Sequence, residues 1–262
     1  MSPEELAEIL YEKYCNLFED KYKVDPKIIA IAEQVVVIEN ELENCDGKLK
    51  SDGNGVNLIM INKNLKEETS KRFTIAHELG HYEISKHRSV LQHGFNVFSF
   101  KLNYNPTSFQ EKEANEFASS LLMPKKLFRE FTDQLEINSQ TIKKISDKFN
   151  VSLTAASLRY LKIGKKPICV IKVKDKKVEW AFCNDNFKLK YIKRGQTILR
   201  ESEGWKYFNN KDSFTEGPAL IKASVWFYND NNLRNDFYIY EDIIPLPSYN
   251  SVLIILWEYE GP

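Results

Sequence analysis

All four histidines of the chain fall between positions 77 and 93: His77, His81, His87 and His93. The first two bracket a glutamate in His77-Glu78-Leu79-Gly80-His81, an H-E-x-x-H spacing. Residues four apart on an α-helix lie one above the other, so this spacing calls for a helix, read here over 69–86, that projects both imidazoles from one face. Imidazole is the commonest metal-binding side chain. A histidine-poor chain that concentrates its whole supply around one helix is therefore expected to hold a metal.

Glu78 sits about 100° round that helix from His77. It is off the shared direction of the imidazoles but able to reach a water on a metal held between them. Zinc lowers the pKa of such a water toward neutrality, and a carboxylate can take its proton and return it to a leaving amine. Glu78 is thus the candidate general base. Gly80 costs about 1 kcal/mol relative to alanine inside a helix, which predicts another element packed close against it.

A catalytic site also needs a third protein ligand. Glu111, Glu113 and Glu116 in Gln110-Glu111-Lys112-Glu113-Ala114-Asn115-Glu116-Phe117-Ala118 are the candidates. Glu113 borders the apolar stripe of a helix over 108–122, where an inward carboxylate would otherwise be unpaired. Glu111 and Glu116 read as a solvated face.

The remaining sequence sets bounds. Lysine plus arginine equals aspartate plus glutamate, 37 of each, so no global field draws the chain to nucleic acid or anionic membrane. No run approaches the roughly 18 apolar residues of a membrane span, and the acidic start does not read as a signal peptide. Cys15, Cys45, Cys169 and Cys183 form no C-x-x-C pair, so no disulfide framework or thiolate metal site is expected. A soluble cytoplasmic protein follows.

Periodicity predicts an α+β chain. Helices are read over 3–18 and from Pro26 to about Ala32, then short strands at 35–39 and 58–61 ahead of the metal helix. Thr69 or Ser70 is the expected cap of that helix. Two short helices follow at 141–149 and 153–161, and Gly164-Lys165-Lys166-Pro167 reads as a linker. Strands are expected at 168–173, 178–182, 219–228, 236–244 and 252–259. The expected domains are 1–137, 138–166 and 167–262.

Arg72-Phe73-Thr74-Ile75-Ala76-His77-Glu78-Leu79-Gly80-His81-Tyr82, followed by Glu113-Ala114-Asn115-Glu116-Phe117-Ala118-Ser119-Ser120-Leu121-Leu122-Met123-Pro124, resembles the ImmA/IrrE family of zinc metallo-endopeptidases. The resemblance covers roughly residues 25–165. It implies a mainly helical, zincin-like peptidase domain with a small sheet, zinc (or manganese) as cofactor, and His77, His81 and Glu113 as ligands. Many members carry a further histidine four residues after the second ligand, where this chain has Ser85. His87 and His93 read as solvated or capping residues rather than groups that support a ligand or an oxyanion; Tyr82, Tyr104 and Asn115 are weak candidates for those same roles.

The resemblance also implies that 138–166 is a helix-turn-helix-like segment and that the substrate is a helix-turn-helix repressor, whose cleavage would derepress stress, mobile-element or defence genes. Lys143, Lys144, Lys148, Arg159, Lys162, Lys165 and Lys166 make the segment locally basic, which admits DNA contact, although a solvated helix pair is the favoured reading. The strand at Leu58–Ile61 offers an edge for an extended peptide. Trp180, Trp205, Trp226 and Trp257 read as core of a sheet-rich C-terminal domain that regulates the peptidase or selects its target. The alternative is a non-enzymatic DNA-binding or protein-binding regulator with a structural zinc.

Overall fold

The structure is a computed structural model that describes residues 1–51, 56–84, 98–100, 108–210, 213–234 and 237–259. The expectations placed on Ser85, His87, His93 and Tyr104 lie outside them. The architecture is α+β, and the chain divides into two compact units, 1–130 with 145–152, and 131–144 with 153–262. Among the described residues no helix is long and apolar enough to cross a membrane.

The first unit opens with α1 (Pro3–Tyr14), where Ser2 and Glu5 form a reciprocal capping box and Pro3 takes a position that needs no amide donor. Asp25 caps α2 (Pro26–Ala32) by accepting from the Lys27 amide, again with a proline at the helix start. Strands β1 (Val35–Asn40), β2 (Gly47–Ser51), β3 (Asn57–Asn62) and β4 (Phe98–Phe100) form one sheet in the order β1-β3-β2-β4. β3 pairs parallel with β1 and antiparallel with β2. The Leu58–Ile61 strand is therefore central, and its backbone is already used on both sides. It offers no edge to a peptide, which corrects the expectation from sequence.

Helix α3 (Glu68–Glu83) packs on β2 and β3 and against α4 (Phe109–Leu122). Its N-cap is Glu67, with no side-chain cap. Thr69 and Ser70 fall inside the helix instead, and the Ser70 carbonyl accepts from Thr74 Oγ1 at 2.9 Å. The glycine in the motif behaves as its helix cost suggests: a Cβ on Gly80 would stand 3.0 Å from Phe117 Cδ1 on α4. Arg72, 8% exposed, anchors α3 by donating from Nη2 to the Val24 carbonyl at 2.7 Å.

Helices α5 (Lys125–Thr132), α6 (Ser139–Phe149) and α7 (Leu153–Ile163) follow. The turn between α6 and α7 has Asn150 in the left-handed region, at φ 51, a conformation asparagine tolerates. Of the basic residues in this segment, Arg159 is only 1% exposed and Lys165 pairs with Asp133 at 2.6 Å. The phosphate-facing set read from sequence is smaller by both.

The second unit is built on a five-stranded antiparallel sheet of order β6-β5-β9-β8-β7. Its strands are β5 (Ile168–Lys174), β6 (Lys177–Cys183), β7 (Ala219–Lys222), β8 (Tyr238–Leu246) and β9 (Ser251–Glu258). Helices α8 (Glu203–Asn209) and α9 (Ser224–Phe227) complete it. The single strand expected at 219–228 is thus a short strand followed by a helical turn. Trp180 and Trp226 are buried, as expected, while Trp205 packs partly buried against the core. Cys169 and Cys183 lie directly opposite across β5 and β6 and are joined by a disulfide, a pairing that the linear spacing does not reveal.

Candidate metal centre

Helix α3 turns His77 and His81 inward, both fully buried, with their Nε2 atoms 3.1 Å apart. The carboxylate that meets them comes from the first turn of α4. Glu111 Oε2 lies 3.2 Å from His77 Nε2, and Oε1 lies 3.3 Å from His81 Nε2. Among the described residues these three side chains form a group able to hold a metal, with one ligand atom from each within 4.8 Å of the others.

Local sequence explains the placement of Glu111. Ser108 is the N-cap of α4, and its side chain accepts from the Glu111 amide at 3.2 Å. Glu111 is therefore three positions past the cap, where unpaired backbone N–H groups and the helix dipole favour a negative charge. Its side chain is 27% exposed, so the solvated face assigned from sequence is in fact turned toward α3. Glu113 lies about 200° further round the helix and is 7% exposed. It does not join the three-residue group, although the resemblance gives it the ligand role.

The electrostatics suit a cation. Burial drives the His77 pKa down to about 4, so the ring is neutral at ordinary pH. Burial alone would raise the pKa of Glu111, but hydrogen bonding with His77 and His81 holds it at about 2. A neutral imidazole at His77 and a carboxylate anion at Glu111 are the protonation states a metal requires of such ligands. Nitrogen, nitrogen and oxygen donors fit zinc with a fourth position open to water.

Asn115 sits one helical turn beyond Glu111, and its Oδ1 lies 2.9 Å from His77 Nδ1. An amide oxygen can only accept, so His77 donates from Nδ1, which leaves Nε2 as the atom that would serve a metal. Sequence reasoning left Asn115 as only a weak candidate for a supporting role. The available signal was its spacing of four from Glu111, which puts both on one helix face.

Glu78 follows His77 and is fully buried. Burial foremost, and then the negative charge of Glu111, push its carboxyl well above the usual range, opposed by the backbone amide of Leu49. A carboxyl whose pKa is pushed upward beside a metal site is suited to accept and return a proton.

Residues 32–160 match the IrrE N-terminal-like domain of the M78 peptidases. Over 135 residues the chain is 29% identical to Metallopeptidase ImmA of Bacillus subtilis (strain 168), covering 50% of this chain and 72% of that protein. In fold it is similar to a Mycobacterium tuberculosis transcriptional regulator, with a TM-score of 0.58 and 11% identity over 97% of this chain and 76% of the other. That last likeness speaks for the fold alone. The match runs from the first sheet through the helix of His77 and His81 to the helix of Glu111, and residues 32–160 are an IrrE N-terminal-like domain of the ImmA/IrrE metallopeptidase type.

Proposed function

We propose that the chain is a zinc-dependent endopeptidase, held to one partner protein, in which His77, His81 and Glu111 are the ligands and Glu78 is the general base. The observation that carries this reading is the buried pair of imidazoles facing one ionised carboxylate, with Glu78 next to the first imidazole in the chain. A zinc ion there would polarise the scissile carbonyl and acidify a water in its open position. Glu78 takes the proton of that water and passes it to the leaving amine. Asn115 holds His77 in the tautomer that offers Nε2. Manganese is the alternative ion, since it accepts the same donors.

The substrate we infer is a helix-turn-helix repressor acting in the cytoplasm, whose cleavage derepresses stress, mobile-element or defence genes. Residues 1–137 are the catalytic domain in this reading, 138–166 a docking segment, and 167–262 the regulatory or substrate-selecting domain. The test is incubation of the metal-loaded protein with the repressor encoded beside it, and mass spectrometry of the fragments. One defined cut, lost in Glu78→Gln with metal retained, supports the reading. Cleavage that survives Glu78→Gln, or an intact repressor, refutes it.

A further inference from the structure

Strand β2 passes over the catalytic helix at Gly47, which is buried and paired with Ile61 on one side and Phe100 on the other. The glycine is not required by the backbone: the described glycines at positive φ are Gly195 and Gly217. What excludes a larger residue is contact. A Cβ on Gly47 would collide with Thr74 Cγ2, and would stand 2.9 Å from Oε1 and 3.3 Å from Cγ of Glu78.

Thr74 cannot readily give way, which leaves the end of the Glu78 side chain to move. Thr74 is β-branched, 1% exposed, and tied through Oγ1 to the Ser70 carbonyl, so its rotamer is restricted. Glu78 is enclosed on all sides, 0% exposed. The strand cannot lift away without breaking a ladder on both flanks. Leu49, two residues along the same strand, brings its backbone amide near the Glu78 carboxylate and lowers its pKa, although neither carboxylate oxygen has a hydrogen-bond partner among the described residues. One strand thus supplies the clearance that lets this buried carboxylate lie against it.

We propose that Gly47 is a positioning residue for Glu78: with no side chain at 47, β2 lies directly across the carboxylate and fixes it where it can exchange a proton with a ligand on the metal. This rests on the metallopeptidase reading. Any side chain at 47 displaces the Glu78 carboxylate and leaves the ligands His77, His81 and Glu111 in place.

Acetohydroxamate is the probe, because it chelates the metal and gives its N–OH proton to a neighbouring carboxylate. Metal content, thermal midpoint and acetohydroxamate affinity are measured on the full-length, metal-loaded wild type, Glu78→Gln, Gly47→Ala, Thr74→Ser and the Gly47→Ala/Thr74→Ser double variant. All should retain one metal. Glu78→Gln should bind the probe about tenfold or more weakly, through loss of a charge-assisted hydrogen bond, and Gly47→Ala should approach that value. Thr74→Ser removes the colliding methyl but not the contact with Glu78. The double variant should therefore recover its thermal midpoint and still bind the probe weakly, and it carries the comparison if Gly47→Ala alone does not fold. Wild-type affinity in Gly47→Ala, or recovery of stability and affinity together in the double variant, overturns the proposal. A wild type that holds no metal, or a Glu78→Gln that binds the probe as wild type does, overturns the metallopeptidase reading itself.

Discussion

Asn115 Oδ1 lies 2.9 Å from Nδ1 of His77, on the far side of the imidazole from Glu111. One face of α4 thus supplies both a carboxylate to the front of the ring and an acceptor to its back. Replacing Asn115 with leucine removes the acceptor, frees the ring to rotate and leaves Nδ1–H unpaired in a buried site. Metal affinity should fall by roughly 10- to 100-fold, measured by competition with a chelating dye. Asn115→Asp, which keeps an acceptor, should lose far less. Equal losses in the two variants would show that the hydrogen bond does not orient the ring.

The two candidate glutamates separate cleanly. Glu111→Gln should abolish stoichiometric metal binding, because it removes the anion between His77 and His81, whereas Glu113→Gln should leave metal content unchanged. Elemental analysis of the two purified variants decides the matter. The reverse pattern would restore Glu113 as ligand and require α4 to rotate from the orientation described.

The contrast between these residues marks how far the sequence could be read. His77, Glu78 and His81 were legible because their relation is local, fixed by the helical repeat. Gly80 was legible as a close approach, though not as a contact with Phe117. The choice among Glu111, Glu113 and Glu116 depended on which face of α4 meets α3, which is a tertiary fact. Burial reasoning chose Glu113, and it is buried, but burial alone does not say against what. Cys169 with Cys183 failed for a similar reason, since their proximity follows from the β5–β6 register. Ala219–Tyr228 failed because a short apolar run fits a strand or a buried helical turn equally well.

The disulfide gives a test confined to the second unit. It closes a loop with a sequence separation of 14, and a loop of that size is worth about 3 kcal/mol in the chain-entropy account. Cys169→Ser/Cys183→Ser should lower the thermal midpoint of the β5–β9 sheet, followed by tryptophan fluorescence from Trp180 and Trp226. Metal content should not change. A variant as stable as the oxidised wild type would mean that the cross-link adds nothing the β5–β6 ladder does not already provide.

In the first unit the lowered His77 and the raised Glu78 carry pH terms of opposite sign, whereas the second unit is governed by Glu241. In the metal-free protein, His77 has its pKa lowered from 6.5 to about 4. The unfolded chain then binds more protons across that window, and stability is lost as pH falls through it. Glu111, lowered from 4.5 to about 2, extends the same loss to lower pH. In the second unit Glu241 is fully buried, accepting from Ser202 Oγ at 2.7 Å, the Gly204 amide at 3.2 Å and Trp226 Nε1 at 3.1 Å. Burial still outweighs these donors and raises its pKa from 4.5 to about 7. Here the folded state binds more protons, so the contribution is full below 4.5 and disappears as pH rises through about 7, a change on the order of 3 kcal/mol. Calorimetry of the full-length apoprotein between pH 4 and 8 should resolve a transition of the second unit that falls as pH rises through about 7. Glu241→Gln should flatten that fall, at a lower baseline stability, because an amide NH2 cannot accept from the donors a carboxylate satisfies. A falling transition unaltered by Glu241→Gln would assign that slope to another group.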